Sequence, residues 1–368
     1  MKELRVIISG GGTGGHIFPA IAIANNIKER YPNSTILFVG AEGRMEMEKV
    51  PAAGYEIIGL EVAGLNRKNI FKNFSTILKF RRSLKKARQI INDFKPQVAI
   101  GVGGYASGPI LYQANKMKIP TLIQEQNSYA GVTNKFLGKK ASTVCVAYEG
   151  MERFFPKDKI VITGNPPYRK ELLSPSLTKE DAYKEFDLDP DKKTILLIGG
   201  SLGSRTLNKS IFSGIDAIAQ SDIQLIWQCG KLYSFELNLD LASKGNPDNV
   251  HMYEFISRMD LAYTAADLVI SRAGASSITE LSLLGKATIL VPSPNVSEDH
   301  QTKNAMALVN NEAAILIKDS EAMEKLIPTV LETINSNQKL NLLSENILKL
   351  AHPGSTDMIV DEVIKLVK

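Results

Sequence analysis

The chain writes one phosphate-cradling device twice, and that repetition constrains its fold more than any other feature. Arg5-Val-Ile-Ile-Ser9 runs into Gly10-Gly11-Gly12-Thr13-Gly14-Gly15-His16, and about half a chain later Thr194-Ile-Leu-Leu-Ile198 runs into Gly199-Gly200-Ser201-Leu202-Gly203-Ser204. Each is an apolar strand, a glycine-rich turn and then a helical pattern. That order leaves unpaired backbone N–H groups and the positive end of a helix dipole facing an anion. Two such units predict two nucleotide-type α/β domains facing each other across a cleft.

The remaining pattern agrees. Short β-branched runs recur near Leu4–Ser9, Ile36–Val39, Glu56–Leu60, Val98–Gly101, Thr121–Ile123, Thr143–Val146 and Ile160–Ile162. A second series lies near Thr194–Ile198, Ile223–Trp227, Val250–Tyr253, Leu268–Ile270, Thr288–Val291 and Ala314–Ile317. Continuous apolar strands separated by helical patterns read as parallel sheets covered on both faces. Turn-forming and helix-stopping residues cluster at Gly164-Asn-Pro-Pro-Tyr168, which divides a first domain at 1–164 from a second beginning at 165.

Charge separates the halves further. Residues 1–164 carry 24 Lys and Arg against 12 Asp and Glu, whereas the remainder carries 20 against 27. The first half therefore expects an anionic partner. The longest apolar runs are strand-sized and the N-terminus enters a strand at once, so neither a membrane span nor a signal peptide is expected. Cys145 and Cys229 form no CxxC or metal-type pair and read as buried, reduced thiols of a cytoplasmic protein.

The first glycine loop admits several readings. Gly10, Gly12 and Gly15 satisfy GxGxxG with Glu42 beyond the second strand, so a dinucleotide site is formally open. A bare tight turn would need fewer glycines. His16 favours a catalytic reading, because a dinucleotide needs no histidine at the helix start. A positive helix end also favours the neutral imidazole that can accept a proton.

Six motifs then occur in one order: Gly11-Gly-Thr-Gly-Gly-His16-Ile-Phe-Pro-Ala20, Gly103-Gly-Tyr-Ala-Ser-Gly-Pro109, Gln124-Glu-Gln-Asn127, Gly164-Asn-Pro166, Gly199-Gly-Ser201 and Ser271-Arg-Ala-Gly-Ala-Ser-Ser-Ile-Thr-Glu280. This set resembles the family 28 glycosyltransferases of the GT-B fold that add N-acetylglucosamine to undecaprenyl-linked muramyl-pentapeptide, turning lipid I into lipid II. The resemblance spans essentially the whole chain. It implies two Rossmann-like domains, the first (1–164) receiving the lipid acceptor and the second (165–340) receiving UDP-N-acetylglucosamine. It also implies that the C-terminal helices, 341–368, return to the first domain, with Gly164–Pro167 as a hinge.

Residue by residue, the resemblance makes Ser201 a diphosphate ligand, Ile256 part of the uracil pocket and Glu280 the acid that holds the ribose hydroxyls. Ala275, Ser276 and Ser277 open a helix whose N–H groups can also face the diphosphate. Gln301 reads the sugar hydroxyls and Asn127 reaches toward the same sugar. Arg169 resembles the arginine that follows Gly-Asn-Pro, although Pro167-Tyr168 makes the spacing one residue longer. Thr13, Gly14 and Gly15 form the acceptor-side loop, and Tyr105 and Glu125 are further acceptor-side candidates for binding or proton transfer. Gln124 and His300 depart from the residues common at their positions, and both replacements keep hydrogen-bonding capacity.

Bond polarity supplies the expected mechanism. The acceptor's C4 hydroxyl is a poor nucleophile, so a base, His16, takes its proton as it attacks the anomeric carbon and UDP departs. One displacement inverts that carbon. No tightly bound cofactor or metal is expected: the DxD pattern in Asp187-Leu-Asp189-Pro-Asp191 precedes a strand at the end remote from the glycine loop.

A lipid acceptor also demands a membrane-facing surface. Arg67 to Arg88 holds nine Lys or Arg and no Asp or Glu. At 100° per residue, Ile70, Phe71, Phe74, Ile77 and Leu78 fall on one arc, a cation-rimmed patch for anionic headgroups at the cytoplasmic face of the plasma membrane. Phe80, Leu84, Ala87 and Ile91 fall on another arc and read as core. Nucleic acid is not expected, since no recognised motif accompanies the basic residues. Docking by cell-wall synthesis or division proteins is a further expectation. The rival classes are a glycolipid transferase, a UDP-N-acetylglucosamine 2-epimerase and a non-catalytic nucleotide-sugar-binding subunit, with a dehydrogenase more distant.

Overall fold

A computed structural model describes residues 4–62, 73–167 and 177–367, and of 73–78 it describes the backbone alone. The chain divides into two compact units, Met1–Tyr168 with His352–Lys368, and Arg169–Ala351.

The first unit is built on seven parallel strands: β1 (Arg5–Gly10), β2 (Thr35–Ala41), β3 (Glu56–Leu60), β4 (Val98–Gly103), β5 (Thr121–Glu125), β6 (Thr143–Val146) and β7 (Ile160–Ile162), in the order β3-β2-β1-β4-β5-β6-β7. The order reverses between β1 and β4, which makes their carboxyl ends a topological switch point. Val6 to Ser9 pair in register with Val98 to Gly101, and the register then shifts so that Gly10 pairs with Gly103.

One face of the sheet is covered by the helix Gly14–Arg30, which buries Ile17, Ala20, Ile21, Ala24 and Ile27 at helical spacing. The helix Ser355–Val367 adds Ile359, Val360 and Val363 to the same core. Asn26 Nδ2 donates to Asp357 Oδ1 at 3.0 Å and Arg30 pairs with Asp361 at 2.6 Å, fixing the two helices side by side. Outgoing and returning chain meet at Gly164 and Asn165, where Ser355 Oγ donates to Asn165 O at 2.7 Å. Gly164 has φ +76°, and a Cβ there would lie 2.3 Å from His352 Cβ.

The opposite face packs Ala87, Ile90 and Ile91 of the helix Asn73–Phe94 against Ile7, Val39 and Ile110. Phe80 departs from its expected place in this core: it is 44% exposed, and the inward position nearest it is taken by Ser83, whose hydroxyl donates to Glu61 O at 2.7 Å. The turn position of a 22-residue helix drifts against a simple arc, so the buried stripe begins one turn later. Of the expected membrane patch, Ile70 and Phe71 lie outside the described residues, as do the side chains of Phe74, Ile77 and Leu78.

The second unit carries β8 (Lys193–Ile198), β9 (Ile223–Gln228), β10 (Val250–Tyr253), β11 (Leu268–Ser271), β12 (Thr288–Leu290) and β13 (Ile315–Leu316), all parallel, in the order β10-β9-β8-β11-β12-β13. Its switch point lies between β8 and β11. The helix Asn337–Lys349 belongs here, with Leu340 and Leu343 in the core and Ser344 Oγ donating to Gly285 O. The return to the first unit therefore starts at His352, later than the Asn341 expected from sequence. Both cysteines are buried and free. Among the described residues, no helix is long and apolar enough to cross a membrane.

Candidate active site

At the first switch point two glycine-rich loops meet. Gly103 and Gly104 leave β4 with φ +101° and +85°, conformations open to glycine. A Cβ at Gly104 would lie 2.4 Å from Gly11 O, and one at Gly103 would lie 2.8 Å from both Cδ2 and Nε2 of His16. The β4 loop can thus lie flat against the β1 loop only as bare backbone.

His16, in the first turn of its helix, is held by that loop. Its Nδ1 lies 3.1 Å from Gly11 O and 3.4 Å from Thr13 Oγ1. A carbonyl oxygen only accepts, so Nδ1 carries the hydrogen and donates. In the neutral ring Nε2 is then the basic nitrogen. Thr13 occupies the N-cap without capping through its side chain, which leaves the N–H groups of Gly14 and Gly15 outside the intrahelical ladder.

Glu125 ends the neighbouring strand β5 and Asn127 lies in the loop that follows. Glu125 is buried, and its carboxylate accepts from Asn127 N (3.1 Å), Asn127 Nδ2 (3.3 Å), Gly131 N (3.0 Å) and Asn134 Nδ2 (2.9 Å). With four donors around it, Glu125 fixes the loop that carries Asn127. Gln124 Nε2 donates to Asn165 Oδ1 at 2.9 Å, and Asn165 Nδ2 donates to Gln126 O at 3.0 Å. The Gly-Asn-Pro motif is thereby a buried brace for the same loop. Tyr105 is exposed beyond Gly104, whereas Glu42, the acid of the dinucleotide reading, pairs on the surface with Lys86 at 3.1 Å. Arg169 lies outside the described residues.

In the second unit the donor-side residues follow consecutive strand ends. Ile256 comes after β10, its N–H donating to Gln228 Oε1 at 3.0 Å and its side chain buried. Ser201 is exposed in the loop after β8, a loop kept tight because a Cβ at Gly203 would lie 2.1 Å from Cys229 O. Ala275, Ser276 and Ser277 begin the helix Ala275–Leu283 after β11, where the N-cap is Gly274 and no side chain caps the first N–H groups. Glu280, on the inner face of that helix, accepts from Tyr263 OH at 3.1 Å. Gln301 begins the helix His300–Val309, its Oε1 accepting from Ser293 N at 2.8 Å, which turns the amide's NH2 donors to the remaining direction. Just before it, Glu298 and Asp299 have φ +58° and +50°, two successive left-handed residues without glycine, a strained arrangement of the kind that concentrates at functional sites.

Two charged residues, one in each unit, brace these loops without a distinct signal in the sequence. Arg272, at the end of β11, donates to Ser204 Oγ, to Asp319 Oδ1 and to the carbonyls of Val291 and Pro292. Glu46, fully buried, accepts from Gly12 N at 2.8 Å and Ala41 N at 2.9 Å. The motif Ser271-Arg272 held the only sequence signal for the first; nothing separates Glu46 from the surface acids around it except the nearby glycines. The Asp187–Asp191 run precedes β8, at the end of the sheet opposite Ser201, with Asp189 N–H donating to Gln224 Oε1 at 2.9 Å.

Two parallel α/β units with glycine loops at their switch points have the build of a GT-B sugar transferase, and the chain belongs to glycosyltransferase family 28. Residues 6–146 match the glycosyltransferase family 28 N-terminal domain and residues 194–356 match the C-terminal domain. Similar proteins include the UDP-N-acetylglucosamine–N-acetylmuramyl-(pentapeptide) pyrophosphoryl-undecaprenol N-acetylglucosamine transferase of Bacteroides fragilis, 60% identical over 99% of this chain and 96% of that protein. The protein of the same description from Parabacteroides distasonis is 58% identical over 100% and 99% of the two chains. Among solved structures, MurG of Acinetobacter baumannii superposes with a TM-score of 0.79 at 28% identity, covering 98% of this chain and 99% of that one. A UDP-GlcNAc 2-epimerase of Neisseria meningitidis shares the fold at 13% identity with a TM-score of 0.66.

Proposed function

We propose that this protein transfers N-acetylglucosamine from UDP-N-acetylglucosamine to the C4 hydroxyl of undecaprenyl-pyrophosphoryl-N-acetylmuramyl-pentapeptide, converting lipid I to lipid II in peptidoglycan synthesis. The observation that carries the chemistry is the His16 ring, anchored through Nδ1 to Gly11 O with Nε2 left as its base nitrogen. Nε2 takes the proton of the acceptor hydroxyl as the oxygen attacks the anomeric carbon, and the bond to the UDP oxygen breaks on the opposite side. The product linkage is β.

Donor binding draws on the strand ends of the second unit. Ile256 after β10 serves the base, Ser201 and the helix start at Ser276 and Ser277 serve the diphosphate, Glu280 serves the ribose, and Gln301 after β12 serves the sugar. Strands stand about 4.8 Å apart, so a nucleotide sugar laid across their ends reaches from the loop after β10 to the loop after β12. Backbone N–H groups at the helix start stabilise the charge that develops on UDP as it leaves. No metal ion is needed in this scheme; the phosphate charge is met by N–H donors.

Association with an anionic membrane surface at the cytoplasmic face is supported by the first unit. Tyr112 and Phe136 stack with centroids 6.4 Å apart beside a cavity of about 370 Å³ that Lys116, Lys139 and Lys140 also line. The helix bearing Tyr112 is tied to the basic helix Asn73–Phe94 by Gln113 Nε2 donating to Leu84 O at 3.1 Å. Apolar rings rimmed by lysines suit a headgroup interface.

The deciding experiment incubates the protein with UDP-N-acetylglucosamine, with and without a lipid I analogue. UDP release that requires the analogue, with the mass of a disaccharide product, supports the transferase; conversion without the analogue points to an epimerase; no turnover points to a binding subunit.

A further inference from the structure

The two glycine loops look alike in sequence but are braced by opposite charges. Behind the second loop stands the Arg272 guanidinium. Behind the first stands the Glu46 carboxylate, fully buried at the start of the helix Glu46–Ala52. The packing leaves room for nothing else: a Cβ at Gly11 would lie 2.0 Å from Glu46 Oε1, and one at Gly40 would lie 2.6 Å from Glu46 Cγ. Glu46 Oε1 is tied to Ala41 N at the end of β2, so the carboxylate is fixed to the sheet as well as to the loop.

The partner of Oε2 is Gly12 N, and the partner of His16 Nδ1 is Gly11 O. These two atoms belong to the same peptide group. A trans peptide directs its C=O and N–H to opposite sides, so one rigid plane has the carboxylate on one edge and the imidazole on the other. Hydrogen bonds in series polarise one another: a carboxylate on the N–H makes the carbonyl a stronger acceptor for Nδ1–H. The same N–H, spent on Glu46, is withheld from any ligand anion.

The geometry points to Glu46 as a positioning residue for sugar transfer, acting on His16 through the Gly11–Gly12 peptide as a carboxylate–peptide–imidazole relay. It rests on the reading of His16 as the base. The relay holds the ring in the Nδ1–H tautomer and supports the positive charge that appears when Nε2 takes the acceptor's proton, much as a directly bonded carboxylate does in a hydrolase triad. Thr13 Oγ1, on the residue preceding its helix, and the backbone of Gly103 from β4 also face the ring. The first loop is accordingly a platform for a base, whereas the second is a cradle for an anion.

The test is 15N NMR of the histidine side chains in the full-length protein, which has four histidines, together with steady-state kinetics of Glu46→Gln. In the wild type the neutral His16 ring is expected as the Nδ1–H tautomer, and the Gly12 amide proton as far downfield and slow to exchange. Glu46→Gln should admit the Nε2–H tautomer and lower kcat at least tenfold. It should also move the acid limb of the kcat profile to lower pH and leave KM for UDP-N-acetylglucosamine within twofold. An Nε2–H tautomer or a rapidly exchanging Gly12 amide in the wild type overturns the relay without any variant. So does a Glu46→Gln protein whose tautomer and pH profile are unchanged and whose loss of rate matches its loss of folded protein. If instead His16→Ala keeps its kcat while the tautomer and the Gly12 signal are as expected, the base assignment fails and the relay does not.

Discussion

Arg272 Nη2 lies 2.5 Å from Ser204 Oγ, so the residue that caps the helix after the second glycine loop is clamped to the end of the neighbouring strand. The guanidinium is in turn paired with Asp319, whose other oxygen accepts from Thr206 Oγ1 at 3.0 Å. Loop, strand end and helix start are locked as one piece.

That lock predicts a donor-specific defect. Asp319→Asn weakens a charge-assisted pair worth about 1.5–3 kcal/mol, and KM for UDP-N-acetylglucosamine should rise roughly tenfold or more while KM for the acceptor stays unchanged. Steady-state kinetics with each substrate varied in turn checks this. An equal rise in both constants would count against it.

His16→Ala removes the group placed to take the hydroxyl proton. General-base catalysis is typically worth about a hundred to ten-thousand-fold, and kcat should fall within that range with UDP binding by calorimetry intact. A near-normal kcat would remove His16 from the chemistry.

Gly103→Ala offers a gentler disturbance of the same ring. The new methyl would meet His16 Cδ2 and Nε2 at 2.8 Å, and the φ of +101° suits no L side chain. A loss of kcat of at least tenfold is expected, with the ability of the second unit to bind UDP retained.

Lys286 gives a stability test remote from turnover. Burial, with Lys179 nearby, lowers its ammonium from the ordinary 10.5 to about 8, while Nζ donates to Ala266 O at 3.0 Å. Between about pH 8 and 10.5 the unfolded chain holds a proton that the folded one has released, so stability rises with pH across that window. The gain amounts to about 3–4 kcal/mol at most. Lys286→Met should flatten this slope and raise Tm at pH 7, as read by thermal melts across the window.

Phe136→Asp places a charge in the lysine-rimmed aromatic patch. Sedimentation with vesicles rich in anionic lipid should recover several-fold less of the variant, with turnover on a short-chain soluble acceptor preserved. Equal recovery of both proteins would separate the patch from membrane association.

The fold was largely legible because both sheets are parallel and doubly covered. Strands such as Glu56–Leu60, Thr143–Val146 and Val250–Tyr253 stand out as unbroken runs between helical patterns, and their bounds agree with the structure. The glycine loops were legible too, since a turn from strand to helix needs its glycines in sequence. What could not be read were the supports that come from elsewhere in the chain. Glu46 sits among Arg44, Glu48 and Lys49 and reads as one more solvated acid. Its burial depends on missing Cβ atoms at Gly11 and Gly40, on two other elements. Asp319 meets Arg272 from 47 residues away, and no local pattern announces it. Phe80 was misplaced for the reverse reason: periodicity gives an arc but not the position at which a long helix first meets the sheet.

The helix Ser355–Val367 completes the core of the first unit with Ile359, Val360 and Val363, yet it follows the whole of the second unit along the chain. At about 5–20 residues per second, a ribosome that has finished Tyr168 needs roughly ten to forty seconds more to reach His352. During synthesis the first domain therefore waits, with the apolar surface that receives Ile359, Val360 and Val363 uncovered, until the second has already emerged. The core of the first unit is thus completed only after the whole second unit has been synthesised, which leaves apolar surface of the N-terminal half open in the nascent chain.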